Sequence, residues 1–150
     1  AMTQVFFYQL ERQPLLAVLA KLLQVTLDRG GKAVVQVGSP ERVAALDAQL
    51  WTFADESFLP HGTSADGDPE HQPVYLTQTD ENPNGARYRF FVDGADFGDI
   101  GAYERAIYLF DGRLADELEL ARSRWRKIKS AGHEATYWRQ SEAGRWEKQA

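Results

Sequence analysis

Basic and aromatic side chains that could bind an acidic ligand are concentrated between residues 122 and 129, where five residues are Arg or Lys. Arg122, Arg126 and Lys129 are spaced by four and three residues, so they share one flank of a helix. Trp125 lies at the edge of the neighbouring apolar stripe, which consists of Leu114, Leu118, Ala121, Trp125 and Ile128. Guanidinium groups bind carboxylates in bidentate fashion, and an indole gives an apolar side chain a floor. The pattern therefore predicts a site for an acidic peptide.

Two other interpretations of this basic helix stay open. Cations near the C-terminus of a helix are favoured by its dipole, so the flank could simply be solvated. A nucleic acid is the third candidate, but Lys+Arg number 17 against Asp+Glu 22, and the net charge of -5 weighs against it. We expect no sequence-specific binding of nucleic acid.

A second group of candidate residues is aromatic and lies in what should be a connection. Trp51 ends a helix whose apolar face is already filled, and Phe53, Phe58 and Pro60 follow it. Such residues form either a satellite core under a loop or an apolar patch for a protein partner.

The sequence lacks the motifs that would indicate catalysis or cofactor binding. The chain has 0 Cys and lacks both G-x-G-x-x-G and G-x-S-x-G. His61 and His71 flank three carboxylates, but the spacing fits no metal motif and favours a mobile, solvated loop over residues 62–72. We therefore expect no metal, no cofactor and no catalytic residue.

The elements that must position these residues follow from periodicity and turn residues. Strands are predicted at 5–10, 32–37, 74–77, 87–92 and 105–110, and helices at 14–29, 39–50 and 113–130. Ser39 is predicted as the N-cap of the second helix and Pro40 as its first residue, while Gly30-Gly31 and Gly132 are predicted to end the first and third helices. Residues 136–139 and 145–148 form either a terminal hairpin or an aromatic tail.

The alternation of strands and helices predicts an α/β fold with a Rossmann-like, mostly parallel sheet flanked by helices. We expect one domain over residues 2–150, with Ala1 as a remnant of cloning. No apolar run approaches the roughly 20 residues of a membrane span, and the start lacks a basic leader, so a cytoplasmic protein is expected.

Three segments resemble the chi subunit family of bacterial DNA polymerase III. They are the opening strand Val5-Phe6-Phe7-Tyr8, an L-W-x-x-x-x-x-S-F-x-P-H block at 50–61, and the basic helix Ala121-Arg122-Ser123-Arg124-Trp125-Arg126. The order of these segments covers most of the chain, and the block at 50–61 is fairly specific to the family.

The resemblance implies a non-catalytic clamp-loader subunit that binds the acidic C-terminal tail of single-stranded DNA-binding protein, and also the psi subunit where present. Motif positions then assign Arg122, Trp125 and Arg126 to the tail, and helix geometry adds Lys129. Trp51 and Phe58 would face psi, with Pro60 shaping that surface.

One position departs from the family pattern, because Leu118 stands where a basic residue is expected one turn before Arg122. Arg113 is the candidate to replace that charge. The alternative function is a small α/β enzyme that binds a nucleotide or metabolite at the carboxyl ends of the strands.

Overall fold

The computed structural model describes residues 3–11, 14–52, 61–98, 100–141, 143 and 145–149, and at 51, 52 and 65 the backbone alone. These residues contain seven strands and three α-helices. They are β1 (Gln4–Leu10), α1 (Leu15–Asp28), β2 (Ala33–Gln36), α2 (Pro40–Thr52), β3 (Val74–Thr77), β4 (Tyr88–Phe91), β5 (Arg105–Asp111), α3 (Ala115–Ser130), β6 (Glu134–Gln140) and β7 (Trp146–Lys148).

The strands form one sheet in the order β3-β2-β4-β5-β1-β6-β7. Every neighbouring pair is parallel except β6 and β7, which are antiparallel. The predicted α/β fold with a mostly parallel sheet is confirmed, and the C-terminal residues form the hairpin rather than a loose tail. The hairpin extends the sheet because β6 pairs with β1.

The sheet is apolar on both faces, as parallel sheets are. On the first face, α1 and α2 pack through side chains such as Leu19, Leu23 and Leu46. On the second face, α3 packs Ala121 and Ile128 against the aromatic side chains of β1 and β5. We call these the α1/α2 face and the α3 face.

The residues predicted to start α2 and to end α1 and α3 lie at those positions in the structure. The Ser39 hydroxyl oxygen accepts a hydrogen bond from the Arg42 amide at 3.3 Å, and Pro40 is the first residue of α2. Gly30 and Gly132 follow α1 and α3 with φ values of +79° and +85°, which a residue with a side chain rarely adopts.

Two local predictions are wrong. Leu114 is 51% exposed and is the N-cap of α3, so it does not belong to the buried stripe. The backbone amide and guanidinium of Arg113 both donate to Asp111, which holds this turn outside the helix and delays its start.

Residues 62–72 form a connection without α-helix or strand, as predicted, but they contain short turns of their own. The segment contains two 3₁₀ turns, Ser64–Asp66 and Pro69–His71, and Gly62 forms a parallel bridge with Tyr75. The turn at its start is closed by the Thr63 amide, which donates to the Asp66 carboxylate at 2.8 Å.

Candidate functional site

Three cations line one exposed flank of α3. Arg122, Arg126 and Lys129 are all exposed, and none lies within ion-pair distance of a carboxylate in the described ranges. The helical spacing predicted that they share a flank, and α3 spans all three positions without a break. We call these three residues the α3 cationic flank.

Trp125 lies half-buried beside that flank, and packing fixes its ring. The indole meets Phe7 edge-on at 5.3 Å between ring centroids and Tyr137 at 5.7 Å. The Lys129 ammonium lies 5.6 Å from the centroid of the indole, within the range of a cation–π contact. The site therefore offers a preformed apolar floor next to positive charge.

The remaining two basic residues of α3 are already paired within the chain. The Arg124 guanidinium and the Lys127 ammonium lie 3.4 Å and 3.2 Å from one carboxylate oxygen of Asp96. They also donate to the carbonyl oxygens of Gly94 and Phe97. The helix thus has one side on which two cations share a carboxylate, and another side whose cations have no carboxylate within ion-pair distance among the described residues.

Tyr137 on β6 forms a wall of the site that the sequence did not predict. Its hydroxyl donates to the Gln9 side-chain oxygen. Burial raises the pKa of Tyr137, while the positive charges of Arg122 and Arg139 oppose that shift. The aromatic run at 136–139 was visible in the sequence, but its parallel pairing with β1 was not.

The charge missing at Leu118 is not replaced by Arg113. Leu118 packs against the core of the α3 face. Arg113 binds Asp111 in bidentate fashion, at 3.0 Å and 2.9 Å, and holds the pKa of that carboxyl below its usual value. The prediction that Arg113 compensates is therefore not supported by the geometry.

The second group of predicted residues lies largely outside the described residues. Trp51 falls in the last turn of α2, as predicted, but its side chain is not described. Phe58 and Pro60 lie in the segment 53–60, which is outside the described residues. Their assignment to psi stays a prediction.

A crevice of about 620 Å³ lies where a nucleotide-binding sheet would hold its ligand, at the carboxyl ends of β1 and β6. Its two arginines are engaged: Arg113 pairs with Asp111, and Arg139 pairs with Glu11 at 3.1 Å. These pairs leave little positive charge for a phosphate, and the enzyme alternative gains no support.

The histidines are separated by the fold. His61 is buried, and its Nε2 lies 3.2 Å from both the backbone oxygen and a carboxylate oxygen of Asp47. Asp68, Glu70 and His71 bring their ligand atoms within 4.8 Å of one another, but all three are exposed. The cluster is typical of a solvated turn, in line with the expectation for this segment.

Comparison with known proteins identifies the family. Residues 2–136 match the model of the DNA polymerase III chi subunit family, HolC, and the chain belongs to that family. It is 27% identical over 109 residues to a "Probable DNA polymerase III subunit chi" of Rickettsia prowazekii (strain Madrid E). The match covers 73% of this chain and 66% of that relative, slightly less than two thirds of its length. This family supplies an accessory subunit to a replicative DNA polymerase.

Across the described residues, we find no helix with the length and apolar character that crossing a membrane would require.

Proposed function

We propose that this chain is a non-catalytic subunit that binds the acidic C-terminal tail of single-stranded DNA-binding protein. The observation that carries the proposal is the α3 cationic flank, whose three charges have no carboxylate partner among the described residues. A tail that ends in aspartates, Pro and Phe complements it. The aspartates would pair with Arg122 and Arg126, and the Phe would rest against Trp125.

The proposal extends to the assembly of the replicase. Bound to the tail on one side and to psi on another, the subunit would link the clamp loader to protein-coated single strands. Trp51, Phe58 and Pro60 would form the psi-facing surface. Loss of psi copurification in Trp51→Ala, with tail binding retained, is the result expected for separate surfaces.

The tail is tested with a fluorescently labelled peptide that ends in aspartates, Pro and Phe, titrated by anisotropy. A short tail of this kind binds with micromolar affinity, on the order of -8 kcal/mol. Arg122→Ala should cost about 1.5–3 kcal/mol of binding, since a charge-assisted pair is lost. Binding should also weaken between low and high salt because these charges are exposed.

Lys127 provides a matched control on the same helix. Lys129→Ala and Lys127→Ala remove the same charge, but only Lys129 lies beside Trp125, whereas Lys127 faces Asp96. We expect Lys129→Ala to weaken binding of the tail peptide severalfold. Lys127→Ala should change the affinity by less than about twofold, which is the size expected when a remote, screened charge is removed. Equal losses in the two variants, or no binding at low salt, would refute the proposal.

A further inference from the structure

A second, separate cleft lies on the opposite face of the sheet. It runs between α1 and the strands β1, β4 and β5, and its volume is about 200 Å³. The residues that define this rear cleft are Phe6, Tyr8, Val25, Tyr88, Arg105 and Ile107. Small-molecule and cofactor sites usually measure about 300–1,000 Å³, so this cleft suits one large apolar side chain better than a cofactor.

The wall of the rear cleft carries an arginine, Arg105, in which one nitrogen lacks a hydrogen bond to any described residue. The Arg105 guanidinium lies over the Phe6 ring, 5.5 Å from its centroid. Its Nε is buried and makes no hydrogen bond with any residue that the structure describes. A buried N–H without an acceptor is costly, and the Arg105 side chain as a whole is only partly buried. A carboxylate that approaches the accessible part of its guanidinium would offset some of that cost.

A basic groove of about 400 Å³ adjoins the rear cleft. Arg29 and Tyr88 line both the groove and the cleft. Its cations are Arg29, Lys32 and Arg87, all exposed and without an ion pair in the described parts of the chain. The one carboxylate that lines it is Glu104. In a chain of net charge -5, this is a local concentration of positive charge beside an apolar cleft.

We propose that the rear cleft and basic groove form a second peptide site, for a partner-protein segment in which acidic residues flank one large apolar side chain. The apolar side chain would fill the rear cleft, and an adjacent carboxylate would accept from the Arg105 guanidinium. Further carboxylates would extend along Arg29, Lys32 and Arg87. This site is distinct from the α3 cationic flank because the sheet separates them.

The aromatic geometry favours a peptide over single-stranded nucleic acid. Bases bind by stacking on open aromatic faces. Here the Arg105 guanidinium already covers Phe6, and Trp146 meets Tyr8 edge-on at 5.1 Å. The cleft accepts a side chain inserted edgewise or end-on, which is how an apolar peptide anchor enters a pocket.

The site is tested by NMR on the ¹⁵N-labelled full chain. The probe is the capped peptide acetyl-Glu-Asp-Leu-Phe-Asp-Glu-amide, which has no terminal carboxylate and so differs from the proposed tail. We expect the Arg105 Nε–Hε signal and the Thr26 and Tyr88 amide signals to shift in a saturable manner. Arg105→Gln should weaken binding of the probe by at least about tenfold, which is the effect of losing one charge-assisted pair. The same peptide with Gly-Ser in place of Leu-Phe should bind weakly.

Val25 gives a second variant that does not disturb the strands. It is 39% exposed on α1 at the rim of the cleft. Val25→Glu places a negative charge where the probe carries its own, so binding should fall by about tenfold or more. Val25→Gln introduces a side chain of nearly the same size as Glu but without its charge. This variant should bind the probe with an affinity within about threefold of the wild type, a smaller change than the loss of a charge-assisted pair.

Arg122→Ala separates this inference from the proposed function. This variant should leave binding of the capped probe unchanged while weakening binding of the tail peptide. If Arg122→Ala weakens the capped probe and Arg105→Gln does not, the second site does not exist and the α3 cationic flank binds both. Shifts produced at the rear cleft by oligothymidylate but not by the probe, or concentration-dependent dimerisation that Val25→Glu abolishes, would also overturn the proposal.

Discussion

Arg89 is a charged residue buried in the sheet without a carboxylate partner in the described ranges. All five of its N–H donors are used: Nε and one terminal nitrogen bind the Gln36 amide oxygen at 3.1 Å and 2.7 Å. The remaining donors bind the carbonyls of Glu81 and Thr79 and the Tyr103 hydroxyl. One side chain therefore ties β4 to β2 and to the two segments that follow β3 and precede β5.

Replacing Arg89 tests how much this network stabilises the fold. Arg89→Met keeps the length of the side chain but leaves four buried or partly buried oxygen acceptors without their donors. We expect a loss of about 3 kcal/mol in the free energy of unfolding, in the range for a broken buried network. Urea denaturation followed by circular dichroism measures it.

Arg87→Met is the matched control, because Arg87 is two residues away on the chain and exposed. Its unfolding midpoint should move by no more than about 0.5 kcal/mol, as for most surface substitutions. A loss in Arg89→Met as small as in the control would mean that the network contributes no net stability.

At the scale of the elements, α3 begins without a side-chain cap. Leu114 occupies the N-cap with an extended backbone, φ -98° and ψ 118°, and makes no capping hydrogen bond. Leu114→Ser should supply an acceptor to the first turn and raise the stability by about 0.5–1 kcal/mol. For a chain of this size that corresponds to a rise of roughly 1–4 °C in Tm, measured by differential scanning calorimetry.

The comparison that isolates the cap is Leu114→Ala, which removes the same exposed side chain without adding an oxygen. We expect its Tm to lie at or below that of the wild type. A Ser variant no more stable than the Ala variant would show that solvent already satisfies these amides.

The sequence predicted the elements well because their signals are local. Alternation, apolar runs and capping residues such as Ser39 and Pro40 act within a few residues, and the strands and helices appear within a few positions of their predicted bounds. The order of the strands is set by contacts between distant residues. Nothing local indicates that Thr136 pairs with Phe6, and that pairing brings Tyr137 to Trp125.

The sequence predicts the candidate site only as far as local signals define it. The flank of Arg122, Arg126 and Lys129 could be predicted because helical spacing alone defines it. Which cations form ion pairs depends on Asp96, which lies about thirty residues earlier in a loop, and so could not be predicted. Arg89 alternates with apolar neighbours as a solvent-facing strand residue would, yet it is buried by segments from both sides.

At the scale of the whole molecule, the two apolar clusters share one sheet. Val5 and Phe7 of β1 belong to the core of the α3 face, whereas Leu10 of the same strand belongs to the core of the α1/α2 face. Because neither core can lose its strands without the other, we expect a single cooperative unfolding transition, as for one domain.

Tryptophan fluorescence and far-ultraviolet circular dichroism measure this cooperativity. Trp125 and Trp146 report opposite faces of the sheet, while circular dichroism reports all the helices and strands. The urea midpoints from the two methods should coincide. Separate midpoints, or a fluorescence transition in Trp146→Phe that differs from that in Trp125→Phe, would indicate two independently unfolding units.

The place of β1 in the sheet has a consequence for biosynthesis. Residues 4–10 are translated well before both neighbours of this strand, which are at 105–111 and 134–140. The nascent chain must therefore carry an unpaired, aromatic-rich segment while about a hundred further residues are made, and the sheet cannot close until residues 134–140 have been translated. Pairing between residues so far apart along the chain slows folding. Early ribosomal arrest should thus yield a chain prone to aggregation rather than a partly finished domain.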